Sequence, residues 1–271
     1  MQALTAGDGT PLFMRRWQAA GTARGTVQIV HGLGEHIGRY ERLALALNAA
    51  GWHVAGHDQR GHGRSGGARG TLPYQRALLD DLALAIDAVR AAAPGPHLLL
   101  GHSMGGLVAA CFCAEAPPLR DVDGLVLSSP ALDPGLSSGQ KLLLALAAPL
   151  APRLRLANGL DPQRVSRDPA VVQAYIDDPL VHDRVTPRLV RFIVDGGRYA
   201  VERAPHWRLP TLLMWAGADR LVAPRGSAAF ARSARRDVVT SREWPGLAHE
   251  IFNEPERAQV LAMLMAWLAR F

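Results

Sequence analysis

The chain has 271 residues, 48% of them hydrophobic, which is enough to bury a sizeable core in one α/β domain that also carries an insertion. Its formal net charge of +6 comes from scattered arginines, with no basic block and no interleaving of Arg with aromatics, and this argues against a nucleic-acid partner. No apolar run approaches the roughly 18 residues of a membrane span, and Gly7, Asp8, Gly9, Pro11, Arg15 and Arg16 break up the opening stretch, so the mature chain is expected to begin at or near Met1.

The first element, Ala3–Trp17, has apolar stretches on either side of Gly7-Asp8-Gly9 and reads as a hairpin added at a sheet edge. Short apolar runs follow at Val27–Val30, His53–Gly56, His97–Leu100, Gly124–Leu127 and Thr211–Trp215, each ending at a Gly-rich or polar turn, as buried strands do. Helical periodicity separates them over Tyr40–Ala50, Gln75–Ala92 and Gly106–Ala116. Alternation of this kind predicts an α/β fold with a mostly parallel central sheet and helices on both faces. A tail helix after Glu254-Pro255-Glu256 would bury Val260, Leu261, Leu264, Trp267 and Leu268.

After Ser128-Ser129-Pro130 the alternation stops for roughly 75 residues, too many for a plain connection. The apolar run Leu142–Ala151 lies here, followed by Pro152, Pro162, Pro169, Pro179 and Pro187, which divide the segment into short helices. The expected organisation is a core of residues 1–130 and 207–271 with a helical cap over 131–206.

The chemistry centres on Gly101-His102-Ser103-Met104-Gly105, which lies between the apolar strand Leu98–Leu100 and a helix. A nucleophile elbow needs this context, because a serine held in strained backbone geometry brings neighbouring backbone so close that only glycine fits beside it. Serine is a weak nucleophile at neutral pH and needs a histidine to take its proton and a carboxylate to orient that histidine. Asp219 follows the strand Thr211–Trp215, and His249 lies beyond it in the loop before the last helix, so Ser103, Asp219 and His249 are the candidate triad. The amides of Met104, at the helix start, and Leu33, in His31-Gly32-Leu33-Gly34, are the candidate oxyanion donors. His31 reads as a structural histidine, and Asp58 and Arg60 as residues holding their own turn. No metal or cofactor is implied.

These residues resemble the monoacylglycerol lipase and lysophospholipase-like family of α/β hydrolases. The resemblance rests on His31-Gly32-Leu33-Gly34-Glu35-His36 with Arg39-Tyr40, on Asp58-Gln59-Arg60-Gly61-His62-Gly63-Arg64-Ser65, on Gly101–Gly106, and on Gly246–Pro255 with its His249-Glu250-Ile251-x-Asn253-Glu254 core. Asp178-Pro179-Leu180-Val181 resembles the family's cap segment. The resemblance implies an α/β-hydrolase fold, Leu33 and Met104 as oxyanion donors, and Glu35 and Arg39 at the polar alcohol end of the substrate. An ion pair between Glu35 and Arg39 that braces the loop is the competing reading of those two. The chain departs from some members at Phe252, three residues past the histidine, where a polar contact to glycerol can occur.

The expected activity is hydrolysis of the acyl ester of monoacylglycerols through an acyl-enzyme, with lysophospholipase or general carboxylesterase as alternatives and a ligand-sensing protein on the same fold as a minor one. The expected partner is a small lipid ester, with transient lipid-surface contact through the leucines of the cap. Cys111 and Cys113 are too close in sequence for an unstrained disulfide and read as helix fillers in a reducing, cytoplasmic compartment.

Overall fold

The computed structural model describes residues 2–93, 95–115 and 120–271. In chain order its elements are β1 (Gln2–Thr5), β2 (Pro11–Trp17), β3 (Thr26–Val30), α1 (Glu41–Ala49), β4 (His53–His57), α2 (Ala77–Arg90), β5 (His97–His102), α3 (Met104–Cys113) and β6 (Gly124–Ser128). Then come α4 (Ser138–Leu150), β7 (Leu156–Ala157), α5 (Pro169–Ile176), β8 (Arg184–Val185), α6 (Pro187–Arg203), β9 (Thr211–Ala216), α7 (Pro224–Ser233), β10 (Val239–Trp244) and α8 (Arg257–Leu268). The helix expected over Gly106–Ala116 starts two residues earlier, at Met104, and Ala116 lies outside the described residues, as does Met1.

Among the described residues, eight strands form one sheet in the order β1-β2-β4-β3-β5-β6-β9-β10. β1 and β2 make the edge hairpin that Gly7-Asp8-Gly9 predicts, and β2 joins β4 antiparallel; every pairing from β4 onward is parallel. The sheet's two faces follow the period of two along each strand. Leu99, Leu125, Leu127 and Leu213 pack with α2, α3, α6 and α7 on one face. Leu98, Leu100, Val126, Leu212 and Met214 pack with α1 and α8 on the other. Leu98-Leu99-Leu100 thus serves both cores at once, which is why it reads as continuously apolar.

The chain runs from β3 out to β4, then back across β3 to β5. Loops leaving β3 and β5 therefore diverge to opposite sides, and the crevice between them at the carboxyl ends of the strands is where such sheets bind ligands. His31–Gly34 and Ser103 sit at this crevice.

The segment between β6 and β9 lies over the same end. Two of its prolines start helices: Pro169 and Pro187 occupy the first turns of α5 and α6, where a missing N–H costs nothing, with Asp168 and Thr186 as side-chain caps. The two halves of the segment differ. α6 buries Leu189, Phe192, Ile193 and Ala200 in the same cluster as Leu107 and Phe112 of α3, so it is part of the main core. α4 buries no side chain; it is held by a capping box between Ser137 and Gln140 and leaves Leu142, Leu143, Leu146 and Leu150 exposed.

Candidate functional site

Ser103 occupies the turn between β5 and α3 with φ 53° and ψ −122°, a conformation that a non-glycine residue adopts only when its surroundings enforce it. Those surroundings are tight. A Cβ on Gly105 would lie 2.1 Å from the Val30 carbonyl oxygen and 2.3 Å from that of His31, and one on Gly101 would lie 2.6 Å from the Gly105 oxygen. The two glycines of Gly-x-Ser-x-Gly are thus fixed by backbone crowding against β3 and α3. The turn is pinned by the Ser103 N–H, which donates to the Ser128 carbonyl at 3.0 Å, and by the Ser103 carbonyl, which accepts from Ala131 at 3.0 Å.

The structure brings Asp219 and His249 to the same place. Nδ1 of His249 lies 2.6 Å from Oδ2 of Asp219, and Oδ1 of Asp219 accepts from the amides of Leu221 (2.8 Å) and Val222 (3.1 Å). A carboxylate only accepts, so Nδ1 carries the proton and Nε2 is left as the basic nitrogen. Burial works against charge on both groups, yet their mutual attraction outweighs it: the Asp219 carboxyl is held below its ordinary range and the His249 imidazole is raised above its own. Glu250 and Glu35 add to the rise at His249.

Ser103, Leu33, Met104 and His249 line one cavity of about 440 Å³. Most of its wall is apolar, with Val165, Ile176, Val181, Val190, Ile193 and Val222 among the lining residues, and Glu35, His102, Asp178 and Glu250 line it as well. Met104 starts α3 and lines this space, and the first-turn amides of a helix have no intrahelical acceptor, which suits Met104 to its expected part. Gly34 follows Leu33 with φ +77°, and its carbonyl accepts from the His182 amide at 2.8 Å, so the loop after β3 is joined directly to the insertion. A Cβ at Gly34 would lie 2.4 Å from the His182 carbonyl oxygen.

Glu35 and Arg39 sit differently from one another. Glu35 lines the main cavity, whereas Arg39 lies behind it, beside a small pocket shared with Tyr40, His102, Ser128, Phe252 and Asn253. Oε1 of Glu35 accepts from the Gly32 amide (2.6 Å) and the Tyr40 hydroxyl (2.7 Å), and Oε2 accepts from Arg39 at 2.6 Å. Arg39 also grips Glu250 bidentately at 2.7 and 2.9 Å and lies 4.6 Å from the Tyr175 ring centre. The ion pair weighed against substrate binding is therefore present, and it extends to a third member, Glu250.

Outside this centre, His31 bonds Gly32 and Gln59 across its loop. Asp58 accepts from the Ile37 and Arg64 amides, and Arg60 pairs with Asp81 and Asp8. Sequence reasoning gave no role to His102, whose buried ring lies 4.7 Å from that of His249 and whose pKa burial lowers to about 4. It also gave none to Tyr175, a tyrosine in a segment without a strong motif. The signal for His102 was its place beside Ser103.

The chain is similar to known proteins over most of its length. Residues 21–256 match the family described as Serine aminopeptidase, S33. A monoacylglycerol lipase of Mycolicibacterium smegmatis is 36% identical over 256 residues, covering 93% of this chain and 90% of that protein. An uncharacterized abhydrolase domain-containing protein of Dictyostelium discoideum is 32% identical over 98% of this chain, which spans only 28% of that longer protein. The crystal structure of a Paleococcus ferrophilus monoacylglycerol lipase is 35% identical and superposes with a TM-score of 0.86, covering 95% of this chain and 98% of the other. With a family match over most of its length and relatives of this identity, the chain belongs to this family of serine hydrolases with the α/β-hydrolase fold.

Proposed function

We propose that this protein is a monoacylglycerol lipase, which cleaves the acyl ester of monoacylglycerols with Ser103 as nucleophile, His249 as general base and Asp219 as the carboxylate that orients it. The observation that carries the reading is the cavity lined by Ser103: about 440 Å³, with a mostly apolar wall suited to an acyl chain and with Glu35, Asp178 and Glu250 in its lining as acceptors for alcohol hydroxyls. Ser103 Oγ attacks the ester carbonyl as Nε2 of His249 takes its proton; the Leu33 and Met104 amides stabilise the oxyanion; the imidazolium then protonates the departing glycerol. Water, deprotonated by the same nitrogen, releases the fatty acid. Two relatives named monoacylglycerol lipases support the choice of ester.

Glu35 takes part in alcohol recognition as well as bracing. A carboxylate offers about four acceptor positions, and three are used, by Gly32, Tyr40 and Arg39. One remains for a glycerol hydroxyl, and Arg39 acts through Glu35 and Glu250 rather than on the substrate. The insertion 131–206 covers the acyl chain, with α6 seated in the main core and the remainder acting as the cap, and the exposed leucines of α4 rest transiently on lipid. Cys111 and Cys113, both free thiols, fit a reducing, cytoplasmic setting.

The deciding experiment is a hydrolysis panel of monoacylglycerols, lysophospholipids, triacylglycerols and short aryl esters. The highest kcat/KM on monoacylglycerols is expected; a preference for lysophospholipids would replace this reading.

A further inference from the structure

The sequence motif around His249 contains two carboxylates, and the reaction above uses neither directly. Glu250 faces Arg39. Glu254, five residues after His249, is completely buried at 0% exposure. A buried carboxylate is tolerated only when donors satisfy it, and this one has four. Its Oε1 accepts from the Ser166 hydroxyl at 2.7 Å and the Arg167 amide at 2.6 Å; its Oε2 accepts from the Ala248 amide at 2.8 Å and Arg167 Nε at 2.6 Å.

These donors come from two separate parts of the chain. Ala248 directly precedes His249 in the loop after β10. Ser166 and Arg167 belong to the insertion, between β7 and α5. A second link joins the same two segments, since the Glu250 amide donates to the Val165 carbonyl at 2.8 Å. The loop bearing His249 is therefore tied to the insertion on both sides of the histidine, and one carboxylate makes most of the ties. The donors keep the Glu254 carboxyl below its ordinary range despite burial, so the ties persist at neutral pH.

We propose that Glu254 is a positioning residue for the general base: it fixes the peptide that precedes His249 against the insertion segment Val165–Arg167, so that the imidazole is aimed at Ser103 only while that segment is seated. The proposal rests on the reading of His249 as the base. Its consequence is that movement of the insertion at Val165–Arg167 alters the chemical step, even for a substrate too small to touch the acyl-chain wall.

The test uses a short, soluble aryl ester and the rate at which a fluorophosphonate labels Ser103, measured on folded Glu254→Gln, Arg167→Ala and the double variant. The amide nitrogen of Gln would face donors on one side and break that pair of ties. Glu254→Gln is expected to lower kcat and labelling rate together by about tenfold or more, because small displacements of a reacting group cost that much, with KM within about twofold of wild type. Arg167→Ala, at a partly exposed position that tolerates truncation, should lose less, and the double variant should be no worse than Glu254→Gln, since both act through one clamp. Unchanged kcat in folded Glu254→Gln, a loss confined to KM, or additive losses in the double variant would overturn the proposal. His249→Ala separates the two levels: turnover above a few per cent in that variant would remove the underlying assignment, a result that no behaviour of Glu254→Gln can imitate.

Discussion

Nδ1 of His249 is 2.6 Å from Oδ2 of Asp219, and the other oxygen of that carboxylate is occupied by two backbone amides. Asp219 is therefore held by backbone donors as well as by the imidazole, and a neutral amide in its place would favour the wrong tautomer. Asp219→Asn should reduce kcat by several orders of magnitude, and Ser103→Ala should abolish turnover with the circular dichroism spectrum unchanged. Steady-state kinetics on purified variants check both. Full activity in Asp219→Asn would show that another carboxylate orients the histidine.

The same pairing has a pH signature. With its pKa raised, His249 is still protonated at the ordinary histidine value of 6.5, so kcat/KM on an uncharged ester should climb through a limb lying above that pH. Glu250→Gln removes a negative charge that contributes to the rise and should move the limb to lower pH. An unmoved limb would show that Glu250 is electrically silent at the base.

Stability should respond to pH in the opposite region. Burial lowers the pKa values of His57, His97 and His102 to about 4. A histidine whose folded pKa is depressed stabilises the fold fully above its unfolded value near 6.5 and loses that contribution as pH falls toward 4. Each such group weakens the fold by about 1.4 kcal/mol per pH unit within that window. Denaturant midpoints measured from pH 7.5 to 4.5 should fall steeply below 6.5, and a flat profile would contradict neutral burial of these rings.

The proposed part of Glu35 in headgroup choice is open to a direct test. Glu35→Gln should raise KM for a monoacylglycerol by about tenfold more than for an alkyl ester of the same chain length, since a hydrogen bond to a charged group is worth about 1.5 to 3 kcal/mol. Equal effects on the two substrates would leave Glu35 as a brace alone.

The leucines of α4 pose a question of surface. Leu143 is 66% exposed and Leu146 is 56% exposed, so their replacement by serine removes no core packing. The double variant should keep its melting temperature and short-chain activity, while turnover of long-chain substrate presented in vesicles falls severalfold. A drop in melting temperature would instead mean that α4 packs inward in solution.

Much of this architecture was legible because its signals are local. Val27–Val30 and Leu98–Leu100 are buried on both faces and so read as apolar runs, and the elbow glycines reflect crowding within a few residues. β10 was not legible: Val239-Thr240-Ser241-Arg242-Glu243-Trp244 is an edge strand with only its two ends buried, and it has no apolar run to find. α7 was missed for a related reason, its buried side being small residues and Phe230. In the site, the candidate triad follows from chain order, but the links from Glu250 to Arg39 and from Glu254 to Ser166 join positions 211 and 88 apart in sequence, and no local pattern announces them.

The contact at Gly34 bears on how such enzymes can be rebuilt. Because the glycine's α-hydrogen faces the His182 carbonyl with no room for a methyl group, the loop after β3 and the segment Asp178–His182 form a matched pair of backbones. A segment transplanted from a relative to alter chain-length preference would have to reproduce the path of that carbonyl, or it would press on the loop that carries Leu33, the proposed oxyanion donor. On the proposed roles, specificity and turnover are not separable modules in this molecule, and a chimera that ignores residue 34 is expected to change both at once.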